Sequence, residues 1–169
     1  MPDDVPTATI TVRPARTEEA EAIGVLTEAV YRDGGFLDDD EDYVTHLLDG
    51  AGRVRDALVL VADLDGSVVA SVTLAEPGTT WSEISHPDEL EVRMLAVAET
   101  ARRRGIADLL MDEAEDHARR QGLAAVVLST EPIMEAAHRL YERRGYVRQP
   151  ERDWDVEGFP LIAYRLALG

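Results

Sequence analysis

Three arginines close on a glycine at Arg102-Arg103-Arg104-Gly105, and Ile106-Ala107 then opens an apolar, helix-like stretch. The segment lies where a strand-like run gives way to a helix. The first amides of a helix have no partners inside it and carry the positive end of its dipole, so a phosphate fits there. Gly105 has no β-carbon to hold a ligand away, Ala107 is the next smallest choice, and nearby guanidinium groups add charge-assisted hydrogen bonds. The segment reads either as a pyrophosphate cradle or as a helix start whose arginines only solvate it. Two other phosphate motifs are excluded. A P-loop needs Gly-Lys-Ser/Thr, and all 17 basic residues here are arginine. The G-x-G-x-x-G fingerprint of a dinucleotide fold is absent after the first strand.

Few other groups offer chemistry. The chain has no cysteine, which removes disulfides, zinc-thiolate sites and thiol nucleophiles. His46, His86, His117 and His138 show no H-x-H or H-x-x-x-H spacing, so no metal site is expected. Ser129-Thr130 lacks a nucleophile-elbow context. With 34 acidic residues and a net charge of -17, a nucleic-acid partner is not expected. The acidic balance is compatible with a cationic acceptor. No apolar run approaches the ~20 residues that span a bilayer. "MPDDVPTATI" has no basic region followed by an apolar one. The expectation is a cytoplasmic protein with no membrane partner.

The positioning elements follow from periodicity. The 169 residues favour one domain, residues 1–169. Alternation over Ala8 to Ala15 predicts a first strand. Ala22, Ile23, Leu26 and Val30 predict a helix ended by Gly34-Gly35. A short second helix, from about Asp40 to Leu48, stops at Gly50. Asp65-Gly66 marks a hairpin inside Ala57 to Gly78. Glu89 to Val97 is a strand whose alternation places Glu91, Arg93, Leu95 and Val97 on one face. A helix from Arg103 or Arg104 to Arg120 buries Ala107, Leu110, Ala114 and Ala118 and turns Glu115 outward. Leu123 to Thr130 is a continuous apolar run, as in a buried, parallel strand. Pro132 starts the next helix, with Ile133, Ala136, Ala137 and Leu140 inside and Gly145 as its C-cap. Leu161 to Leu168 closes a β-α-α-β-β-β-α-β-α-β order, an α/β domain with a mixed sheet.

Taken together, these segments resemble the GCN5-related N-acetyltransferase (GNAT) superfamily. Its acetyl-CoA signature, Arg/Gln-x-x-Gly-x-Gly/Ala, stands here as Arg102 to Ala107 after "EVRMLAV". A second family segment stands as "AAHRLYERRGY", Ala136 to Tyr146. The resemblance implies a mixed, mostly antiparallel sheet with splayed middle strands flanked by helices. It implies a pyrophosphate on the amides from Arg103 to Ala107, and so a coenzyme site of Arg102, Arg103, Arg104, Gly105, Ile106 and Ala107. Leu95, Ala96 and Val97 would lie along the pantetheine arm. Tyr141 matches the family tyrosine near the coenzyme sulfur, where a phenol can protonate the departing thiolate. Glu91 stands where several members carry a general base; it could equally pair with Arg93 or meet solvent, and Glu89 is its neighbour. Met134 stands where many members carry an asparagine that touches the coenzyme.

The expected function is therefore acyl-CoA-dependent N-acyl transfer, with acetyl-CoA as co-substrate, no metal, and direct attack by a primary amine. The amine belongs to a small molecule or a peptide. The alternative is a non-catalytic acyl-CoA sensor on the same fold. Exposed sheet edges are compatible with a homodimer. The acidic stretch Phe36 to Tyr43, with Asp38 to Asp42, either attracts a cationic amine or is a solvated loop. Trp81, Trp154 and Tyr43 either wall a pocket or belong to the core.

Overall fold

Alternating apolar residues pair the first half of the chain into an antiparallel meander. In the computed structural model, which describes residues 8–37, 41–156 and 158–169, β1 (Ile10–Pro14) is followed by α1 (Ala20–Asp33), α2 (Glu41–Leu48) and α3 (Gly50–Asp56). Next come β2 (Leu58–Leu64), β3 (Ser67–Ala75) and β4 (Glu89–Val97). Then follow α4 (Ile106–Arg120), β5 (Ala125–Thr130), α5 (Glu135–Arg143), β6 (Val147–Arg148), β7 (Trp154–Val156) and β8 (Phe159–Ala167). The sheet order is β1-β2-β3-β4-β5-β8-β6, with β7 paired to β8. All described pairings are antiparallel except β4 with β5. This is the mixed, splayed sheet expected from the sequence.

Successive residues of β2 point to opposite layers. Leu60 and Ala62 join the main core with Leu110, Met111, Ala114 and Ala118 of α4. Val59 and Val61 pack with Ile23 of α1. Helices thus cover both faces. The hairpin turns at Asp65 and Gly66, with φ of 51° and 92°, the positive values a two-residue type I′ turn requires at both positions.

Two irregularities shape the middle of the sheet. Ser71 faces Ala96, but Thr73 faces Arg93, so β4 carries an extra residue. The bulge centres on Met94, whose φ is 53°. It shifts the side-chain phase by one. Leu95 and Val97 pack against the cluster that holds Leu90 and Val92, whereas Met94 packs with Tyr31, Leu47 and Trp81. The expected common face of Glu91, Arg93, Leu95 and Val97 is thereby corrected: Arg93 lies over the Trp81 ring on the other layer. The second irregularity is a splay. β4 pairs with β5 only from Glu89 to Val92, although both strands run on.

Several boundaries also differ from expectation. Gly50 does not end the helical region but opens α3, capped by the Asp49 side chain, which accepts the Gly52 N–H at 2.8 Å. Glycine is needed there because a β-carbon on Gly50 would collide with the Ala20 carbonyl oxygen of α1. Gly24 of α1 approaches the Leu48 carbonyl in the same way. The buried Arg53 donates to the carbonyls of His46 and Leu47 at 2.8 and 3.0 Å, capping α2. α5 begins at Glu135 rather than Pro132, and Ile133 is exposed. Asp38, Asp39 and Asp40 of the acidic stretch lie outside the described residues.

Replacing Gly50 by alanine forces the α1–α3 contact apart. The expected cost is about 1–3 kcal/mol, read as a lower urea midpoint with an unchanged slope.

Candidate active site

The loop into α4 carries the predicted cradle. Arg103 and Gly105 have φ of 63° and 72°, and α4 starts at Ile106, three or two residues later than the periodicity predicts. None of the backbone N–H groups from Arg103 to Asp108 donates a hydrogen bond to a described residue. Consecutive free N–H groups at a turn and helix start form an anion-binding concavity. A β-carbon on Gly105 would meet nothing within 4 Å, so within the protein the glycine is required by its positive φ rather than by crowding. Arg102, Arg103 and Arg104 are exposed and form no ion pair among the described residues. Most other arginines are neutralised by a carboxylate, as Arg13 is by Glu19 and Asp63. The loop is therefore a local positive site on an acidic protein.

A cleft of about 700 Å³ runs from this loop along the splayed end of β4, past Leu95 and Val97, to Tyr141 of α5. Tyr141 is buried, and its ring lies 5.7 Å from that of Tyr146. Its hydroxyl bonds no described residue. Burial pushes the phenol well above its ordinary value, so Tyr141 holds its proton at neutral pH. Arg144 fixes α5 to α4: it donates to Asp108 at 2.9 Å, Asp112 at 2.6 Å and Glu115 at 2.8 Å. Glu115 is consequently buried, correcting its expected outward placement. This clamp holds the cradle and Tyr141 in one frame.

A second cavity of about 380 Å³ lies on the α1–α2 side, walled by Tyr31, Tyr43, Trp81, Trp154 and Phe159 and floored by Glu91 and Arg93. The two cavities share Tyr31, Phe36, Val92, Arg93, Met94 and Ser129. They meet at the β4 bulge.

The fold has counterparts in known proteins. Residues 9–146 match the profile of the acetyltransferase (GNAT) family. The chain belongs to that family. Over 92 residues it is 38% identical to the probable N-acetyltransferase camello of Xenopus tropicalis, a match covering 54% of this chain and 39% of that protein. A GNAT-family acetyltransferase of Staphylococcus aureus superposes with a TM-score of 0.77 at 13% identity, over 95% of this chain and 100% of that one. The PaiA N-acetyltransferase of Thermoplasma acidophilum, solved with coenzyme A, superposes with a TM-score of 0.73 at 14% identity, over 92% and 98%. At these identities the structures share the fold. Among the described residues of this GNAT-family chain, no helix is long and apolar enough to cross a membrane.

Glu91 and Glu89 separate cleanly. Both are buried. Glu89 has both oxygens committed: Oε1 accepts from Arg152 at 2.7 Å and from the His86 N–H at 2.8 Å. Its Oε2 accepts from Arg165 at 2.7 Å and Arg152 at 3.0 Å. Burial alone would raise this carboxyl, but Arg152, the His86 N–H and Arg165 outweigh it and hold it at about 2. Glu91 spends only Oε1, which accepts from the N–H groups of Glu83, Ile84 and Ser85 at 2.9, 2.7 and 3.0 Å. Its Oε2 bonds no described residue. Burial pushes Glu91 up, against the pull of those amides and of Arg93, and the net direction is upward.

Trp81, Trp154 and Tyr43 wall the second cavity. Trp154 is fixed by its indole N–H, which donates to Ser129 at 2.9 Å. Asp42 is not part of that lining. Met134 lies in the cleft of about 700 Å³, at the start of α5. Arg93 was visible in the sequence only as a partner for Glu91. Its signal was a charged residue beside a glutamate in an otherwise apolar strand.

Replacing Glu89 by glutamine leaves Arg152 and Arg165 without their shared carboxylate, at an expected cost of about 1–3 kcal/mol at pH 7. The native carboxyl titrates near 2 against 4.5 for the free group. Its contribution is complete above about pH 4.5 and is lost as the pH falls through 2. Urea unfolding of wild type and variant should converge across that window.

Proposed function

We propose that the chain transfers an acetyl group from acetyl-CoA to a primary amine, by direct attack in a ternary complex. The observation that carries this reading is the meeting of two cavities at the β4 bulge, one holding the free hydroxyl of Tyr141 and the other the uncommitted oxygen of Glu91. The unpartnered amides from Arg103 to Asp108 fit a pyrophosphate. Acetyl-CoA held there would supply the activated acyl thioester. The splayed backbone from Arg93 to Val97 supplies amide partners for the pantetheine arm, because buried polar backbone must be paired.

Each residue then has a task. Glu91 accepts a proton as the ammonium group becomes a nucleophilic amine, and its raised proton affinity suits that task. The Leu95 N–H polarises the thioester carbonyl. As the new C–N bond forms and the C–S bond breaks, Tyr141 gives its proton to the departing sulfur, and the second proton shed by the nitrogen as it becomes an amide returns through water to the Tyr141 phenolate. No thiol is present to form an acyl-cysteine, which supports direct transfer. Much of the rate enhancement comes from holding two substrates in one place.

Tyr141→Phe should lower kcat by about 10²–10⁴-fold while calorimetry shows unchanged acetyl-CoA affinity. Glu91→Gln keeps an oxygen for the three loop amides, so it should lose turnover with thermal stability retained. Coenzyme binding by the wild type with no turnover on any amine would mark a sensor instead.

A further inference from the structure

The second cavity carries a feature that amine transfer alone does not require. Arg93 Nη1 donates to the Trp81 carbonyl at 3.1 Å, and the nearest carboxylate, that of Glu83, lies at 3.6 Å. Its Nε and Nη2 donate to no described residue. The guanidinium lies 5.6 Å from the Trp81 ring centroid, and the side chain is only 20% exposed. Elsewhere in the chain such an edge is filled: Arg144, with its side chain 12% exposed, donates from Nε and Nη2 to Glu115 and from Nη1 to Asp108. A mostly buried guanidinium with two unused donors is costly unless a ligand completes it. The Nε–Nη2 edge matches a carboxylate through two parallel hydrogen bonds.

We propose that the acceptor is a small amino acid with an aromatic or large apolar side chain, its carboxylate seated on Arg93 and its amine directed to Glu91. This rests on the transferase reading. Glu91 and Arg93 stand two residues apart on one strand, roughly 6–7 Å along the backbone, a span that suits an amine and a carboxylate sharing one carbon. Tyr31, Tyr43, Trp81 and Phe159 surround them with aromatic surface. The cavity of about 380 Å³ fits one such molecule. Of the other lining acids, Asp49 accepts the Gly52 N–H, Asp56 is paired with Arg55 at 2.8 Å, and Glu83 lies 3.6 Å from Arg93.

The test compares kcat/KM at saturating acetyl-CoA for L-phenylalanine and L-leucine, each against its amide and its decarboxylated amine, with putrescine as a dication. The amides release their amines more readily, so a preference for the acids cannot come from nucleophilicity. The acids should be preferred by about 10- to 100-fold, the worth of a charged bidentate contact. Arg93→Gln should raise KM for the acids by a similar factor and narrow the acid-to-amine ratio towards one. Arg93→Lys, which keeps the charge without the fork, should recover part of it. If the variants fail to fold, the wild-type comparison still decides. Equal or better use of the amides, the decarboxylated amines or putrescine overturns this inference and leaves the transferase reading standing. No transfer to any of these compounds, with coenzyme binding intact, also overturns this inference; the transferase reading falls only if no other amine, small or peptide, is acetylated.

Discussion

The backbone hydrogen bonds that β4 cannot make with β5 beyond Val92 are the constraint around which the site is arranged. Inside a sheet those N–H and C=O groups would pair with the next strand. Here β4 and β5 part after four paired positions, and the opening runs into the free amides at the start of α4. The bulge at Met94 bends β4 at the same point. A left-handed non-glycine residue costs about 1–3 kcal/mol. The Met94 side chain, buried among Tyr31, Leu47 and Trp81, and Arg93, bonded to the Trp81 carbonyl, hold it in place.

Charge is placed with the same economy. Arginines tie distant segments together: Arg144 joins α5 to α4, and Arg152 and Arg165 converge on Glu89. Glu89 and Glu91 fix the loop before β4 from neighbouring positions, one through guanidinium groups and one through three amides. Three arginines are left without carboxylate partners at the α4 turn, where an anion would supply the missing charge. The acidic surface then sharpens the contrast between that turn and the rest of the molecule.

Much of this was legible in the sequence. Period-two patterns marked the strands, Asp65-Gly66 marked the hairpin, and the continuous apolar run of β5 marked its burial. Two short segments in order pointed to the α4 turn and to Tyr141 as parts of one site. What escaped had physical reasons. Gly50 reads as a helix stop because glycine is usually one, yet here it lets two helices touch. The Met94 bulge shifts side-chain phase without altering the apolar pattern, so the faces of Leu95 and Val97 could not be read by alternation. Glu115 looked solvent-facing because its partner, Arg144, lies just beyond the end of a different helix, α5. β6 and β7, of two and three residues, are too short to carry a period.

The central claim is that acetyl-CoA completes the β4 splay and the α4 turn together. Amide hydrogen exchange, followed residue by residue with and without acetyl-CoA, tests it most directly. Slowed exchange at both Leu95–Val97 and Arg103–Asp108, with little change in the β2–β3 hairpin, is the predicted result. Protection that leaves Arg103–Asp108 unchanged would place the coenzyme elsewhere and contradict the account.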